Sequence, residues 1–185
     1  HFFFNALNTI GALADENPQR VKTAVRELSG FLRYTLLDEE DLNAPLHDEM
    51  EATEHYLAVE KIRFEDDLQV EVDLNAEAGR RVVPSFLVLP LVENAVKHGQ
   101  YTSPRPLRIR VTGTVTEDAL VVEVANTGHW REAETDADGT GTGLDNVRRR
   151  LETQHPDRHQ LTVREDDGWV RVRIEIDTEA LGQDA

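Results

Sequence analysis

Residues 68–99 read LQVEVDLNAEAGRRVVPSFLVLPLVENAVKHG, and the periodicity of the chain changes within this stretch. Its first seven residues alternate apolar and polar side chains, which is typical of a half-buried β-strand. Residues 85–99 are mostly apolar and predict a helix, whose first turn is delayed or kinked by Pro90. The stretch therefore predicts a helix that packs against a sheet.

The residues that follow add strands on either side of one more helix. Residues 107–126 (LRIRVTGTVTEDALVVEVAN) predict two paired strands, and residues 160–176 predict a closing hairpin that turns at Asp167 and Gly168. A helix from Leu144 to about Gln154 lies between the two pairs. The order β-α-β-β-loop-α-β-β predicts an α+β sandwich with its helices on one face of a mixed sheet.

The first third of the chain is helical instead. Apolar residues recur there at three-to-four spacing, which predicts three amphipathic helices. Their stripes are Phe3, Leu7, Ile10 and Ala14; Val21, Val25, Leu28, Leu32 and Leu36; and Leu46, Met50, Leu57 and Phe64. Helices without a sheet of their own must bury such stripes against another domain or a second copy of the chain.

Composition narrows the classes of function. Acidic residues outnumber basic ones by 36 to 20, giving a formal net charge of −16, and phosphate backbones would repel such a chain. We therefore expect no direct nucleic-acid binding. No apolar run approaches the roughly 20 residues of a membrane-spanning helix, and the lack of cysteine is compatible with the cytosol. The chain opens at HFFFNALNTI without Met, so we expect it to be part of a longer protein.

Three short polar segments carry candidate chemistry. In LVENAVKHG, residues 91–99, helical spacing places the amide of Asn94, the ammonium of Lys97 and the imidazole of His98 on one face. An amide oxygen suits Mg²⁺ and a lysine neutralises phosphate charge, but a solvated polar helix edge is the alternative. In VEVANTGHW, residues 122–130, Asn126 and Gly128 lie at a strand end, where a simple turn is the alternative.

The third segment is GTGTGLDNVRRRL, residues 139–151. Its alternating glycines allow backbone N–H groups to converge on an anion, and the following helix adds the positive end of its dipole. Arg148 and Arg149 in that helix can reach phosphate oxygens. A flexible linker is the alternative, but a linker is not usually followed at once by a basic helix.

Together these segments resemble the N, G1 and G2 boxes of the GHKL ATPase superfamily. HFFFNALNTI, FLRYTL, YLAVEKIRFEDDL, VLPLVENAVKHG and GTGTGLDNVRRRL are similar to the corresponding stretches of the LytS-type sensor histidine kinases. The resemblance runs from His1 to about Ile176. It implies a helical phosphoacceptor and dimerisation region at 1–65, a Bergerat-type ATP-binding catalytic domain at 66–178, and a C-terminal tail at 179–185.

The resemblance also implies roles for individual residues. His1 matches the phosphoacceptor, whose imidazole attacks the γ-phosphoryl group of ATP, and Asn5 lies one turn away. Asn94 matches the ligand of Mg²⁺. The residues assigned to the ATP site are Glu93, Asn94, Lys97, His98, Asn126, Gly128, Gly139, Thr140, Gly141, Thr142, Gly143, Leu144 and Asn146.

Two positions depart from the superfamily pattern. Asn126 stands where Asp usually binds the adenine amino group, and an amide oxygen accepts that hydrogen bond without charge assistance. Trp130 replaces the second glycine of the G1 box, so we expect a different path for the loop there.

By resemblance, the chain is the kinase core of a two-component sensor that uses ATP and Mg²⁺. The implied partners are a second copy of the chain and a response regulator, which in this family often carries a LytTR DNA-binding domain. Contact with a membrane is expected only through a sensor region preceding this cytoplasmic portion. The alternatives are a kinase-inactive ATP-binding dimerisation module and a GHKL ATPase clamp. The clamp would need a carboxylate base where Pro90 stands.

Overall fold

The computed structural model describes residues 2–37, 42–130, 143–179 and Leu181. The helices are α1 (Phe2–Leu13), α2 (Pro18–Leu37), α3 (Leu46–Phe64), the short α4 (Ala76–Gly79), α5 (Leu89–Thr102) and α6 (Gly143–Gln154). The strands are β1 (Asn43–Pro45), β2 (Leu68–Leu74), β3 (Val82–Pro84), β4 (Leu107–Val115), β5 (Ala119–Thr127), β6 (His159–Asp166) and β7 (Trp169–Asp177).

Five strands form one mixed sheet in the order β2-β4-β5-β7-β6. Only the β2–β4 pair is parallel, and its connection passes through α5. The other neighbours are antiparallel, including the predicted closing hairpin, whose turn residues Asp167 and Gly168 have φ of 50° and 74°. The α+β fold with a mixed sheet is therefore confirmed. The small antiparallel pair β1–β3 and the helix α4 were not predicted.

Helices α5 and α6 pack beside each other, and α5 also covers β4 and β5. Helix α5 begins at Leu89, four residues after the start of the predicted helical stretch, which agrees with the delay expected from Pro90. The proline lies in the first turn, where no helical N–H is needed. Close approach to the sheet depends on Gly99. A Cβ atom there would lie 2.6 Å from Cδ1 of Leu107, which is too close for any larger residue without a shift of the leucine.

Helix α3 joins the helical layer to the sheet. It contacts α1, α2, β2 and α5, and its buried residues form a face broader than the predicted stripe, with His47, Glu51 and Glu54 exposed on the opposite side. A single hydrophobic core consequently runs from Ala6 and Leu28 through Leu57 to the sheet residue Ile174. The division of the chain after residue 65 coincides with a short 3₁₀ turn at Glu65–Asp67 and stays a prediction.

A fully buried carboxylate fixes the segment that leads into α5. Glu49 of α3 accepts hydrogen bonds from the hydroxyl of Tyr34 and from the backbone N–H groups of Phe86 and Val88. Burial raises the pKa of Glu49, while these three donors oppose the rise. Because Phe86 has a φ of 58°, the backbone needs such anchoring just before the helix.

The first two helices leave apolar side chains in water. Their inward faces carry Ala6, Leu28 and Phe31, whereas Leu7 and Val25 of the predicted stripes are 49% and 47% exposed. The other exposed apolar side chains on these helices are Phe3, Phe4 and Leu36. The face packed within the chain thus overlaps the predicted stripes only in part, since Leu28 is buried and Ile10 and Leu32 pack against the core. Among the residues described, no helix combines the length and apolar character needed to cross a membrane.

Candidate functional site

A cavity of about 620 Å³ lies between α5, the start of α6 and the adjoining face of the sheet. Its lining combines apolar and polar side chains, and both the helices and the sheet contribute each kind. The lining residues are Leu91, Asn94, Ala95, His98, Val124, Asn126, His129, Trp130, Leu144, Asp145, Arg148, Val163, Glu165, Val170 and Val172. A concave apolar site with a few convergent polar groups is the usual form of a small-molecule pocket.

The α5 wall brings Asn94 and His98 to the cavity, as their spacing of four residues predicts. The amide of Asn94 lies against the first residue of α6, since a Cβ atom on Gly143 would be 3.1 Å from Asn94 Nδ2. A glycine there lets the start of α6 approach the amide closely. The N–H groups at the N-terminus of this helix therefore lie close to Asn94 in the cavity lining.

The groups around Asn94 and the start of α6 fit a magnesium ion. Asn94 offers one hard amide oxygen in an open cavity, and Mg²⁺ is typically held by one or two protein oxygens together with substrate phosphates and water. Arg148 lines the same region and forms an ion pair of 3.3 Å with Asp145. The cavity therefore holds a guanidinium group and the N-terminus of a helix as well as the amide oxygen of Asn94.

Asn126 of β5 lines the cavity near Gly99 of α5 and is 7% exposed. Its Nδ2 donates a hydrogen bond of 2.9 Å to the carbonyl oxygen of Thr127, so the amide orientation leaves Oδ1 as an acceptor. Gly128 follows with a φ of 122°, and a Cβ there would lie 2.5 Å from Oγ1 of Thr102. This turn therefore requires glycine on both conformational and steric grounds.

Several predicted site residues lie away from the cavity. Lys97 and Asn146 are exposed and outside its lining, and Asn5 is exposed on α1. Their roles stay predictions. His1, Gly139, Thr140, Gly141 and Thr142 lie outside the described residues.

Glu93 belongs to a different environment, between α5 and α3. Burial raises its pKa, and its charge and that of Glu60 both act on the buried hydroxyl of Tyr56. Glu60 is itself buried. Its Oε2 forms an ion pair of 2.6 Å with Nη2 of Arg63, although this contact does not have the geometry of a hydrogen bond. Because Glu93 does not line the cavity, its assignment to the ATP site stays a prediction.

The buried carboxyl group of Glu60 predicts that the stability of the fold depends on pH. Burial raises the pKa of Glu60 from 4.5 to about 6, so the folded state binds its proton more tightly than the unfolded state does. The free energy of unfolding should therefore fall by about 2 kcal/mol as pH rises from about 4.5 to 6. Denaturant titrations should show this slope removed in Glu60→Gln and kept in Glu54→Gln, which is on the exposed side of the same helix. Equal slopes in both variants would contradict the assignment.

The sequence did not indicate one whole wall of the cavity. Val163 and Glu165 come from β6, and His129, to which no site role was assigned, contacts Glu165 there. Trp130 also lines the cavity, at the position where a different loop path was expected. These residues meet through the pairing of β5 with β7 and of β7 with β6, and no local motif in β6 indicates it.

Comparisons with known proteins relate this chain to the histidine kinases. The family model described as histidine kinase matches residues 1–68. The sensor histidine kinase BtsS of Escherichia coli K12 is 32% identical over 177 residues, which is 95% of this chain and 31% of that protein. The sensor protein LytS of Enterococcus faecalis is 29% identical over 196 residues, covering 100% of this chain and 33% of that protein. The chain thus spans about a third of the length of these curated relatives.

Solved structures support the fold. The histidine kinase ThkA, in a complex with the response regulator protein TrrA, superposes on 95% of this chain and 58% of the ThkA chain with a TM-score of 0.54 at 18% identity. A match at this identity concerns the fold alone, whereas the curated relatives cover the helical segment and the cavity residues together. The chain therefore belongs to the LytS-type sensor histidine kinases.

Proposed function

We propose that this chain is the catalytic core of a two-component sensor, which binds Mg·ATP, phosphorylates His1 and passes the phosphoryl group to an aspartate of a response regulator. The observation that carries the proposal is one cavity that is lined by Asn94, by the first residues of α6 and by Asn126. In this proposal, the phosphates lie beside Asn94 and the α6 N-terminus, which we call the phosphate end. The base lies beside Asn126, which we call the base end. The whole protein would carry a sensor region before His1, with this portion in the cytoplasm.

At the phosphate end, the chain supplies positioning and positive charge. The Asn94 oxygen would hold Mg²⁺, which neutralises the charge that develops on the transferring phosphoryl group. The first N–H groups of α6 and the guanidinium of Arg148 would bind phosphate oxygens, together with the predicted glycine segment at residues 139–143. These groups orient the γ-phosphoryl group so that an imidazole can approach it in line.

The acceptor step uses a neutral imidazole, which is a good nucleophile near pH 7. One ring nitrogen of His1 would form a bond to the γ-phosphorus as the bond to the bridging oxygen of ADP breaks. The phosphohistidine would then transfer its phosphoryl group to a carboxylate oxygen of the regulator. A regulator with a LytTR DNA-binding domain is the partner that the family resemblance favours.

The proposal is tested by incubating the full-length protein with γ-labelled ATP and measuring the stability of the protein-bound label. Label lost in acid and kept in base is expected, because this is the behaviour of phosphohistidine. ATP binding without label would favour an inactive dimerisation module. Steady ATP hydrolysis without labelled protein would favour an ATPase clamp.

The base end gives a prediction about nucleotide selectivity. Asn126→Ala should weaken ATP and ADP binding by about 1–2 kcal/mol, because one neutral hydrogen bond to the adenine amino group is lost. Asn126→Asp should raise the ratio of ATP to GTP affinity, since a carboxylate accepts from the 6-amino group and repels the 6-keto oxygen. The ratio is the quantity to measure by calorimetry, because the aspartate also loses the bond from Nδ2 to the Thr127 carbonyl. Unchanged affinity and selectivity in Asn126→Ala would place the base elsewhere.

We also propose that the chain forms a homodimer through the exposed apolar face of α1 and α2. Phe4 and Leu36 are 74% and 67% exposed there, and a second copy would remove this face from water. Leu7→Arg and Val25→Arg should each raise the dimer dissociation constant about tenfold or more. Light scattering across a concentration series measures this, with Tyr101→Arg as a control at an exposed aromatic residue of α5. A wild-type chain that stays monomeric at high micromolar concentration would contradict the proposal.

A further inference from the structure

The backbone that leaves β5 is fastened to the β6–β7 hairpin at three consecutive residues. The N–H of Gly128 donates to the carbonyl oxygen of Gly168 at 2.9 Å. Glu165 then binds both following residues, with Oε1 at 2.9 Å from Nδ1 of His129 and Oε2 accepting the N–H of Trp130 at 2.9 Å. One carboxylate of β6 therefore fixes the direction in which the Trp130 side chain leaves the backbone.

The hydrogen bonds also keep this carboxylate in its ionised form. Bonds from His129 and from the N–H of Trp130 lower the pKa of Glu165, so it remains an acceptor for both at neutral pH. The attachment is thus present under the conditions in which a kinase works.

Trp130 lines the cavity and is 40% exposed. The sheet contributes the apolar side chains of Val163 and Val170 to the same cavity, and α5 contributes Leu91. Asn126, at the base end, is only four residues away along the chain. A flat ligand in this cavity therefore has apolar side chains and an indole within the same lining.

We propose that Trp130 is a base-contacting residue, which stacks on the purine ring of the bound nucleotide and is positioned by Glu165. The inference rests on the proposed function, because it takes the ligand of the cavity to be a nucleoside triphosphate. Stacking uses the face of the base and does not distinguish an amino from a keto group. Trp130 would therefore strengthen the binding of ATP and GTP alike, whereas Asn126 separates them.

The first test measures affinity by calorimetry for ATP, GTP and inorganic tripolyphosphate. Trp130→Ala should weaken both nucleotides by about tenfold and leave tripolyphosphate unchanged, since the lost contact is with the base. Trp130→Phe keeps an aromatic face and should lose about threefold or less. Circular dichroism of each variant verifies the fold, which a partly exposed side chain is not expected to control.

The second test uses the fact that the chain has only two tryptophans, Trp130 and Trp169. Trp169 does not line the cavity and lies 5.7 Å from each of the guanidinium groups of Arg110 and Arg171. In Trp169→Phe, ATP and GTP should change the fluorescence of the remaining indole saturably, and tripolyphosphate should not. The reverse variant, Trp130→Phe, should show no nucleotide-dependent change.

The two proposals fail in different ways. A wild-type chain that binds none of the nucleotides would overturn the proposed function. Normal ATP affinity in Trp130→Ala, with no fluorescence response in Trp169→Phe, would overturn only the role of Trp130. Tighter nucleotide binding in Trp130→Ala would also overturn it, because the indole would then obstruct the cavity.

Discussion

Replacing Asn94 by alanine is expected to lower Mg-dependent phosphotransfer by about 100-fold or more. The substitution removes the amide oxygen that we assign to the metal, so the charge on the transferring phosphoryl group loses its main source of neutralisation. Nucleotide affinity measured without Mg²⁺ should change far less, because the base end of the cavity is untouched. A large loss of phosphotransfer together with a small change in metal-free nucleotide affinity would identify Asn94 as the metal ligand.

The structure supplies both a control and a complication for this experiment. Gln100→Ala removes an amide from the same helix outside the cavity lining and should leave phosphotransfer unchanged. Asn94 also packs against Gly143 at the start of α6, so its loss could shift that helix. Asn94→Asp keeps an oxygen at the same position and should restore part of the activity. Full Mg-dependent transfer in Asn94→Ala would contradict the assignment.

The sheet was predictable because its signal is local. In β2, LQVEVDL alternates in sequence, and the structure pairs all seven residues with β4 in parallel. The turn at Asp167 and Gly168 is likewise fixed by residues that accept positive φ. The pair β1–β3 escaped prediction, because three-residue strands are too short to show a period.

The helical faces were only partly predictable. Helices α1 and α2 carry apolar residues on two sides, and the period alone does not say which side packs within the chain. The structure buries Ala6 and Phe31 and leaves Leu7 and Val25 exposed. A small residue such as Ala6 permits close helix packing, but it contributes little to a hydrophobic stripe read from sequence.

The residues that line the cavity were also only partly predictable from the sequence. Asn94, His98 and Asn126 were identified because each lies in a short motif, and all three line the cavity. Glu165 lies in the β6–β7 hairpin, far along the chain from the other polar groups. Only the sheet pairing brings it to Trp130. The buried acceptor Glu49 was missed for a related reason, since its three donors come from two distant segments.

The second large effect concerns the acceptor. His1→Gln should abolish the protein-bound label while leaving ATP affinity nearly unchanged. The physical reason is a separation of layers: the ring of Phe2, next to His1 in sequence, packs 4.9 Å from Phe31 of α2 and 4.7 Å from Tyr56 of α3. None of these three residues lines the cavity, so we expect a substitution at the neighbouring position in sequence to leave the nucleotide contacts unchanged.

The matched control is His47→Gln, an identical substitution at an exposed histidine of α3, and it should label like the wild type. Asn5→Ala, one turn from His1, should slow labelling without preventing it, because an amide beside the acceptor orients a phosphoryl oxygen or water but does not form the new bond. Labelling over time and calorimetry with ATP separate these outcomes. Acid-labile label that persists in His1→Gln would mean that another of the 7 histidines accepts the phosphoryl group, and the helical region would then lose its assigned role.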